Sequence, residues 1–181
     1  KYEASKTLDM KGKPLYPGFI DAHCHFYGYG LGLLKRADLV DTKSFDEILE
    51  IVQAHHVKFP SAFWIEGRGW DQNDWPVKDF PTKEKLDELF PENPVILTRI
   101  DGHAALVNSK ALELAGINAG TKLDGGDVLV KNGEPTGLLI DNAIELVTDI
   151  IPEPDEEQMA EALLAAQKNC FAVGLTGVHD A

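Results

Sequence analysis

The sequence is short of cysteine, of long apolar runs and of positive charge, and each shortage excludes a class of protein. Two cysteines without a C-x-x-C pair do not make a disulfide framework. No apolar run approaches the roughly 20 residues of a membrane span, and the first 18 residues lack the apolar core of a signal peptide. We therefore expect no transmembrane segment, and the compartment stays open because any export signal would lie upstream of Lys1.

The shortage of positive charge bears on the partners of the protein. The chain has 17 lysines and arginines against 30 aspartates and glutamates, and its formal net charge is -13. Long-range repulsion opposes an encounter with nucleic acid or with an anionic membrane surface. No basic cluster exceeds a Lys-Arg pair. We therefore expect neither of these partners, and the sequence does not indicate an oligomeric state.

What the sequence does contain is a pair of histidines that follows a short apolar run, in Pro17–His25, "PGFIDAHCH". A Pro-Gly turn followed by a mostly apolar run predicts a strand covered on both faces. Alternate side chains of a strand share a face, so His23 and His25 point the same way and Cys24 points to the opposite side. Two imidazoles on one face suit a divalent metal such as zinc. Asp21, one layer deeper, would orient an imidazole or pack.

The H-x-H motif is weak evidence when it stands alone. The alternative is two polar residues at a strand end that bond to backbone or water. A further possibility is a small zinc protein complete at 181 residues, with a third ligand from His55, His56, His103 or His179. The half-finished final strand argues against that possibility, because a strand with an unpaired edge and no following helix is a liability.

Local patterns predict the elements of the first half of the chain. Leu8–Tyr16 predicts a short hairpin around a Lys-Gly-Lys turn. The glycine-spaced "YGYGLGLL" predicts a loop, and its spacing is not that of a phosphate cradle. Ser44–Val57 predicts a helix with an S-x-x-E capping box and one apolar stripe, and we expect His55 and His56 at its end to be solvated.

The second half of the chain alternates between strand and helix signals. "NPVILTRIDGH" predicts a strand, Asn108 a helix cap, and "DVLVKNGEPTGLLI" a hairpin with Asn-Gly at the turn. Asp155 and Gln158 begin the longest helix, in which we expect these side chains to face inward: Met159, Leu163, Ala166, Cys170 and Val173. A last strand, "LTGVHDA", ends the chain. The mixed stretch in the middle, about 100 residues, is too long for a connection and predicts an inserted subdomain.

Several of these stretches together resemble the amidohydrolase superfamily. "PGFIDAHCH" is similar to the first-strand signature of that superfamily. The chain also resembles the characteristic blocks of amidohydrolase family 3, the YtcJ-like metal-dependent hydrolases, in "GRGWDQNDW", "PTKEKLDELFPENPVILTRIDGHAALVNSKALELAGI", "GGDVLVKNGEPTGLLIDNAIELV" and "GLTGVHDA". The resemblance covers nearly the whole chain in the expected order, and several blocks in order are far more specific than one H-x-H.

The resemblance implies a (β/α)8 barrel, a small β-sandwich made from both chain ends, and one or two metals, usually zinc. These metals activate a water that attacks a C–N bond, and His23 and His25 supply two of the ligands. The other ligands of the family come from later strands: a carboxylated lysine or a glutamate, two single histidines, and an aspartate that is also the base. Because those strands are missing, we expect an N-terminal fragment of a longer enzyme, inactive alone and without a catalytic residue of its own.

The expected fold class is therefore α/β. It comprises a partial (β/α)8 amidohydrolase barrel, of which the first strands are present, a large inserted α+β subdomain and a remnant of the flanking β-sandwich. The expected boundaries are residues 1–16 for the sandwich remnant, 17–38 for the first barrel strand and the metal-motif loop, 39–150 for the inserted subdomain, and 151–181 for a barrel helix and the start of the second strand.

Four residues are candidates for substrate binding. The family's block implies that His103 lines the pocket, and the alternative is a histidine that bonds local backbone in a tight Asp-Gly turn. Arg99 shares a strand face with Asp101, so an internal ion pair competes with substrate binding. Trp70 either walls an apolar pocket or builds core. Asp180 alternates with His179 at the end of the last strand, and the one that faces the barrel interior would neighbour the metal.

The function that these expectations favour is hydrolysis of a C–N bond, other than a peptide bond, in a small amide-type substrate by metal-activated water. The alternative is a non-catalytic folded fragment or a binding module without bound metal. The sequence indicates neither the substrate nor the number of metals.

Overall fold

The computed structural model describes residues 3–181 and shows an α/β fold with two separate sheets. The strands are β1 (Phe19–Cys24), β2 (Arg36–Asp38), β3 (Ile65–Trp70), β4 (Val95–Arg99), β5 (Ala104–Val107), β6 (Gly126–Lys131), β7 (Glu134–Asp141) and β8 (Leu175–Asp180). The helices are α1 (Phe26–Lys35), α2 (Phe45–Lys58), α3 (Glu84–Leu89), α4 (Ser109–Leu114), α5 (Glu145–Thr148) and α6 (Glu156–Ala172). None of the helices in residues 3–181 is long and apolar enough to cross a membrane.

The smaller sheet joins the two ends of the described chain. β1 and β8 pair in parallel, from Phe19 opposite Leu175 to Cys24 opposite Asp180. Its apolar side chains are largely uncovered, since Phe19 is 60% exposed and Ile20 is 70% exposed. The carboxyl ends of both strands lie at the same end of this sheet, where the H-x-H segment begins.

α1 and α6 pack against each other beside the smaller sheet. Their main chains approach closely at one point, because a Cβ on Gly30 would lie 2.1 Å from the main-chain oxygen of Ala162. Glycine is therefore the residue that permits this helix–helix contact. Two side-chain bonds add to it, from Lys35 to Gln158 at 3.0 Å and from Asn169 to Tyr29 at 2.9 Å.

The larger sheet has six strands in the order β2-β3-β4-β5-β7-β6. β2, β3 and β4 are parallel to one another. β5 is antiparallel to both β4 and β7, so β7 runs in the same direction as β4. The carboxyl ends of β2, β3, β4 and β7 consequently lie along one edge of the sheet, called the carboxyl edge below.

Both faces of the larger sheet carry an apolar core. One core lies between the sheet and α2 and α3, and it includes Val52, Trp70 and Leu97. The other lies under α4 and α5 and includes Ile96 and Val107. Strands that are covered on both faces are apolar throughout rather than alternating, which explains why the first three residues of β4 are all buried.

Several local predictions are confirmed. Ser44 caps α2 by accepting from the backbone N–H of Glu47 at 3.1 Å, although the Glu47 carboxylate bonds the N–H of Lys43 instead of Ser44. Asn108 caps α4, and a full capping box begins α6. The Asn-Gly turn between β6 and β7 has positive φ at both residues, 55° and 84°, as a two-residue hairpin requires.

The glycine-spaced "YGYGLGLL" segment was predicted to be a loop, and this prediction is wrong, because the segment lies in α1. Glycine costs roughly 1 kcal/mol relative to alanine inside a helix. The helix forms nevertheless, because tertiary contacts hold it: the close approach at Gly30 requires glycine, and the helix receives a cap from outside itself, described below.

The hairpin predicted for Leu8–Tyr16 is also wrong. The Lys-Gly turn forms, with the N–H of Lys13 bonded to the oxygen of Met10 at 2.9 Å, but residues 3–18 contain no strand. The sequence analysis also missed β5, whose four residues "AALV" are all buried. Such a short apolar run has no periodicity of its own, and it becomes a strand because β4 and β7 flank it.

The start of the larger sheet and the buried positions near α6 differ from those expected. β2 pairs with β3, so the larger sheet begins at Arg36 rather than at residue 39. In α6 the buried positions are Ala162 and Ala166, whereas Leu163 and Val173 are 42% and 73% exposed. The prediction that these two side chains face inward is wrong, because the close contact with α1 selects alanine positions for the interface.

Candidate functional site

The two histidines of the H-x-H motif lie side by side at the carboxyl end of β1. His23 is within the strand, and His25 is the N-cap residue of α1. Their ring centroids are 5.5 Å apart and their planes meet at 78°. Both side chains are exposed, whereas Cys24 between them is partly buried. The predicted pairing of the two imidazoles is therefore present in the structure.

The end of β8 holds this segment through main-chain and side-chain bonds. The N–H of Ala181 donates to the oxygen of Cys24 at 2.9 Å. The Nδ1 atom of His25 lies 3.0 Å from the main-chain oxygen of Ala181. A carbonyl oxygen can only accept, so Nδ1 carries the proton in this bond, and in the neutral ring Nε2 keeps its lone pair. The free nitrogen of His25 is thus the one suited to a metal.

Asp180 and Asp21 bond to backbone N–H groups of the same segment. The two carboxylate oxygens of Asp180 accept from the N–H groups of Phe26 at 2.8 Å and Tyr27 at 3.4 Å. Asp21 accepts from the N–H of His23 at 3.1 Å and does not contact an imidazole. Desolvation and the nearby Asp180 carboxylate raise the pKa of the Cys24 thiol. Asp180 was predicted to bind substrate, and in the structure its contacts are with the first turn of α1.

The imidazole pair fits one metal ion as part of its ligand set. Two imidazoles on a tetrahedral zinc at ~2.0–2.1 Å place their ring centres about 5 Å apart, close to the observed separation. Residues 3–181 contain no group of three or more histidine, cysteine, aspartate or glutamate side chains that could hold an ion. The described residues therefore offer only these two adjacent imidazoles at this site, where a catalytic zinc takes three protein ligands and a water.

The other histidines do not complete this set. Nε2 of His55 bonds to the main-chain oxygen of Lys35 at 3.1 Å, and burial lowers the pKa of His55. His56 packs edge-on against Phe90, and its Nδ1 is buried without a partner in residues 3–181. The expectation that both are solvated is wrong. The proposal that His55, His56, His103 or His179 forms a three-ligand site within the described residues is likewise wrong.

A second group of polar residues lies on the carboxyl edge of the larger sheet. Arg99, at the end of β4, forms ion pairs with Asp101 at 3.0 Å and Asp71 at 3.2 Å. Its side chain is only 18% exposed. The backbone N–H of Asn73, and then the Arg99 guanidinium, hold the pKa of Asp71 below its usual value. The structure thus shows the internal ion pair, one of the two interpretations of Arg99.

His103 stands next to this ion-pair group, in the bend between β4 and β5. Its backbone N–H donates to the Asp101 carboxylate at 3.0 Å, and its Nδ1 lies 2.8 Å from the carboxylate of Asp141. The imidazole is 74% exposed. The local bond of His103 is made by its backbone N–H, whereas its imidazole bonds the Asp141 carboxylate, a partner that the sequence did not indicate.

Asp141 is the functional candidate that sequence reasoning missed. It ends β7 with φ of +48°, an unusual value for a residue other than glycine, and its N–H donates to the main-chain oxygen of His103 at 3.1 Å. Two bonds therefore join it to His103 across 38 residues of sequence. An aspartate directly after the apolar run "GLLI" was the available signal, since polar residues at strand ends often carry function.

Trp70 lies in the core and not at the surface. It is 1% exposed, its Nε1 donates to the oxygen of Leu97 at 2.7 Å, and its ring stacks on Trp75 with centroids 6.0 Å apart. A side chain with so little accessible surface contacts no substrate in this conformation. The structure therefore favours the core interpretation of Trp70.

A hollow of about 210 Å³ opens on the larger sheet near the His103 bend. Its charged lining comes from Arg36, Glu66 and Arg68, and Gly102 forms part of its wall. Neither histidine of the H-x-H pair lines it. The surface thus has two candidate regions, the imidazole pair and the carboxyl edge around His103.

Comparison with known proteins finds similarity over nearly the whole chain. The sequence of residues 6–181 matches the family that is described as the amidohydrolase family. YtcJ of Bacillus subtilis is 42% identical over 99% of this chain and 35% of its own length. The N-substituted formamide deformylase of Arthrobacter pascens is 35% identical over 98% of this chain and 34% of its own length.

A solved structure agrees with these matches. An uncharacterized metal-dependent hydrolase from Pyrococcus horikoshii superposes with a TM-score of 0.64 and 27% identity, over 90% of this chain and 30% of that protein. The chain thus spans about a third of the length of the relatives it matches.

Proposed function

Because the chain belongs to the amidohydrolase family, we propose that the protein that contains it hydrolyses a C–N bond, other than a peptide bond, in a small amide-type substrate. The proposal includes a divalent metal, zinc, held in part by His23 and His25. The observation that carries it is the paired imidazoles, with the His25 Nδ1 engaged by Ala181 so that Nε2 stays free. The N-substituted formamide deformylase among the relatives makes N-substituted formamides the first substrates to screen.

When bound, zinc would polarise the substrate carbonyl and lower the pKa of a bound water toward ~7. The residues of this chain act around that chemistry. His23 and His25 supply neutral nitrogen ligands, and the end of β8 keeps the His25 ring in one orientation. We place one or two metals in the complete site, in a (β/α)8 barrel whose first strands are β1 and β8. Neither nucleic acid nor a membrane is a proposed partner, given the net charge of -13.

We assign the substrate contact on the carboxyl edge to His103. Asp141 accepts from Nδ1 at 2.8 Å, so in the neutral ring the exposed Nε2 is an acceptor toward a polar group of the substrate. Arg99 has no such freedom, because two carboxylates hold its guanidinium, and its part is to fix the turn that carries His103. His103→Gln should lower kcat/KM about tenfold, the loss of roughly one hydrogen bond.

The test is metal content and turnover of the complete protein. The wild type should carry about one or two zinc ions per chain by elemental mass spectrometry, and His23→Ala should lose them together with turnover. His55→Asn is the matched control, because this histidine lies on α2 and bonds the main-chain oxygen of Lys35 instead of belonging to the pair. The 181-residue chain alone should not turn over any amide. A wild type without metal would support the alternative, a binding module, and turnover by the 181-residue chain would contradict the two-ligand count.

A further inference from the structure

We propose that Asp180 is a positioning residue of the metal site: its carboxylate fixes the junction between β1 and α1 and thereby the orientation of the His25 imidazole. The inference rests on the proposed function in so far as His25 binds a metal. It differs from the expectation for this residue, which was contact with substrate. Its basis is a set of four hydrogen bonds between the end of β8 and the H-x-H segment.

The first observation is that a residue of β8 caps the N-terminal N–H groups of α1. The first N–H groups of a helix have no partner within the helix and need an acceptor from elsewhere. α2, α4 and α6 are each capped by the side chain of their own N-cap residue. α1 has His25 at that position, and this side chain makes no cap bond. Asp180, 154 residues away from Phe26, supplies the acceptor instead.

The reason for this arrangement lies in the other task of His25. Its Nδ1 is directed at the main-chain oxygen of Ala181 and not at the first turn of α1. A metal-binding histidine usually donates its second ring nitrogen to a fixed acceptor, which sets the tautomer and the direction of the ring. A residue so engaged cannot also accept from the first N–H groups of α1, and Asp180 supplies that acceptor.

Asp180 and Ala181 act as one unit because they are consecutive. Asp180 is the strand partner of Cys24, and the N–H of Ala181 bonds to the oxygen of Cys24 at 2.9 Å. The carboxylate of Asp180 bonds the two residues after His25, Phe26 and Tyr27. The acceptor for His25 is therefore held by bonds on both sides of the histidine. Loss of the carboxylate would free the first turn of α1 and with it the position of His25 relative to Ala181.

The carboxylate of Asp180 is engaged with the N-terminus of α1. Both of its oxygens accept from N–H groups, and its negative charge is favourable at the N-terminus of a helix. Its effect on the reaction would therefore pass through His25. Removal of an outer partner of a metal ligand typically weakens metal affinity 10–100-fold.

The experiment compares two aspartates that each accept hydrogen bonds from N–H groups at the N-terminus of a helix. Asp155 caps α6 by accepting from the N–H of Gln158 at 2.8 Å, and it has no contact with His23 or His25. In the complete protein we would prepare Asp180→Ala, Asp180→Asn and Asp155→Ala. Two readouts are needed: zinc affinity, by competition with a chelator, and the ¹⁵N shifts of the His25 ring in the metal-free protein, which report its tautomer.

In the wild type, the His25 ring should be protonated on Nδ1. Asp180→Ala should give a mixture of the two His25 tautomers and weaken zinc binding 10–100-fold. Asp180→Asn keeps one acceptor oxygen, so its zinc affinity should lie between those of the wild type and Asp180→Ala. Asp155→Ala should lower stability without changing either readout. The inference is overturned if both Asp180 variants keep wild-type tautomer and affinity. If the wild type binds no zinc, the proposed function fails, and the tautomer comparison still decides the role of Asp180; if Asp180→Ala does not fold, Asp180→Asn decides.

Discussion

The two sheets of this protein differ in how they are covered. The six-stranded sheet has an apolar core on each face, and Val52, Leu97 and Val107 are fully buried there. The two-stranded sheet of β1 and β8 leaves Phe19 and Ile20 mostly exposed. A two-stranded sheet is marginal in water without further packing. The imidazole pair therefore belongs to the sheet with the smaller core.

This contrast indicates two ways of holding a functional side chain. His103 and Asp141 stand at the ends of strands whose interiors are buried, so the core itself keeps them in place. His25 depends on a few individual contacts, those with Asp180 and Ala181 and the close helix contact at Gly30. The comparison predicts that single substitutions near His25 act on the site, whereas those in the large core act on stability.

Amide hydrogen exchange on the 181-residue chain should show the contrast most strongly. N–H groups of β4 and β5 should exchange with the free energy of global unfolding, whereas those of β1 and β8 should open locally. We expect protection on the order of a thousandfold greater in the larger sheet. Equal protection in the two sheets would show that they unfold as one unit and would contradict the expected difference in their stability.

Replacement of Leu97 by alanine should destabilise the protein more than a similar change in α6. Leu97 is 0% exposed in β4, and Leu163 is 42% exposed in α6. A cavity at the buried site should cost about 2–5 kcal/mol of unfolding free energy, whereas Leu163→Ala should stay within about 0.5 kcal/mol. Urea denaturation of both variants measures the difference. A comparable loss at Leu163 would mean that this side chain is covered.

Two neighbouring glycines of α1 provide a matched pair. Gly30→Ala would place a Cβ against the main chain of α6, whereas nothing lies within 4 Å of a Cβ at Gly32. Gly30→Ala should therefore cost about 1–3 kcal/mol by overpacking, and Gly32→Ala should be neutral or stabilising by up to about 1 kcal/mol. Thermal unfolding is a sufficient measurement. Equal effects would contradict the close contact between α1 and α6.

The smallest expected effect is on the pH dependence of stability. Burial lowers the pKa of His55 below its usual 6.5. Between pH 6.5 and the lower pKa of the folded state, His55 is protonated in the unfolded chain but not in the folded chain. The unfolding free energy should therefore fall as the pH drops through this range. Above pH 6.5, His55 should not affect the pH dependence of stability. His55→Asn should flatten this part of the profile in urea titrations from about pH 8 to about pH 5. If His55→Asn left the profile unchanged, titratable groups other than His55 would cause the pH dependence of stability in this range.

Local signals of the sequence were sufficient for the capped helices and the Asn-Gly hairpin, because side chains within three or four residues form those structures. The H-x-H pair was predicted from the period of a strand, and the two imidazoles lie side by side although His25 is already the N-cap residue of α1. Local signals were not sufficient for α1 or β5. The glycines of α1 and the four apolar residues of β5 have no local preference strong enough to choose a structure, and distant partners choose it for them.

By itself, the sequence determined the H-x-H spacing, the N-terminal caps of α2, α4 and α6 and the Asn-Gly hairpin, since each depends on a few consecutive residues. Only the tertiary structure decided which polar groups meet. Asp141 lies beside His103 because β7 pairs with β5 in a register that puts Ile140 opposite Ala104. Asp180 reaches α1 because β8 pairs with β1. Contacts between residues more than 30 positions apart depend on strand order and register, which no short stretch of sequence specifies.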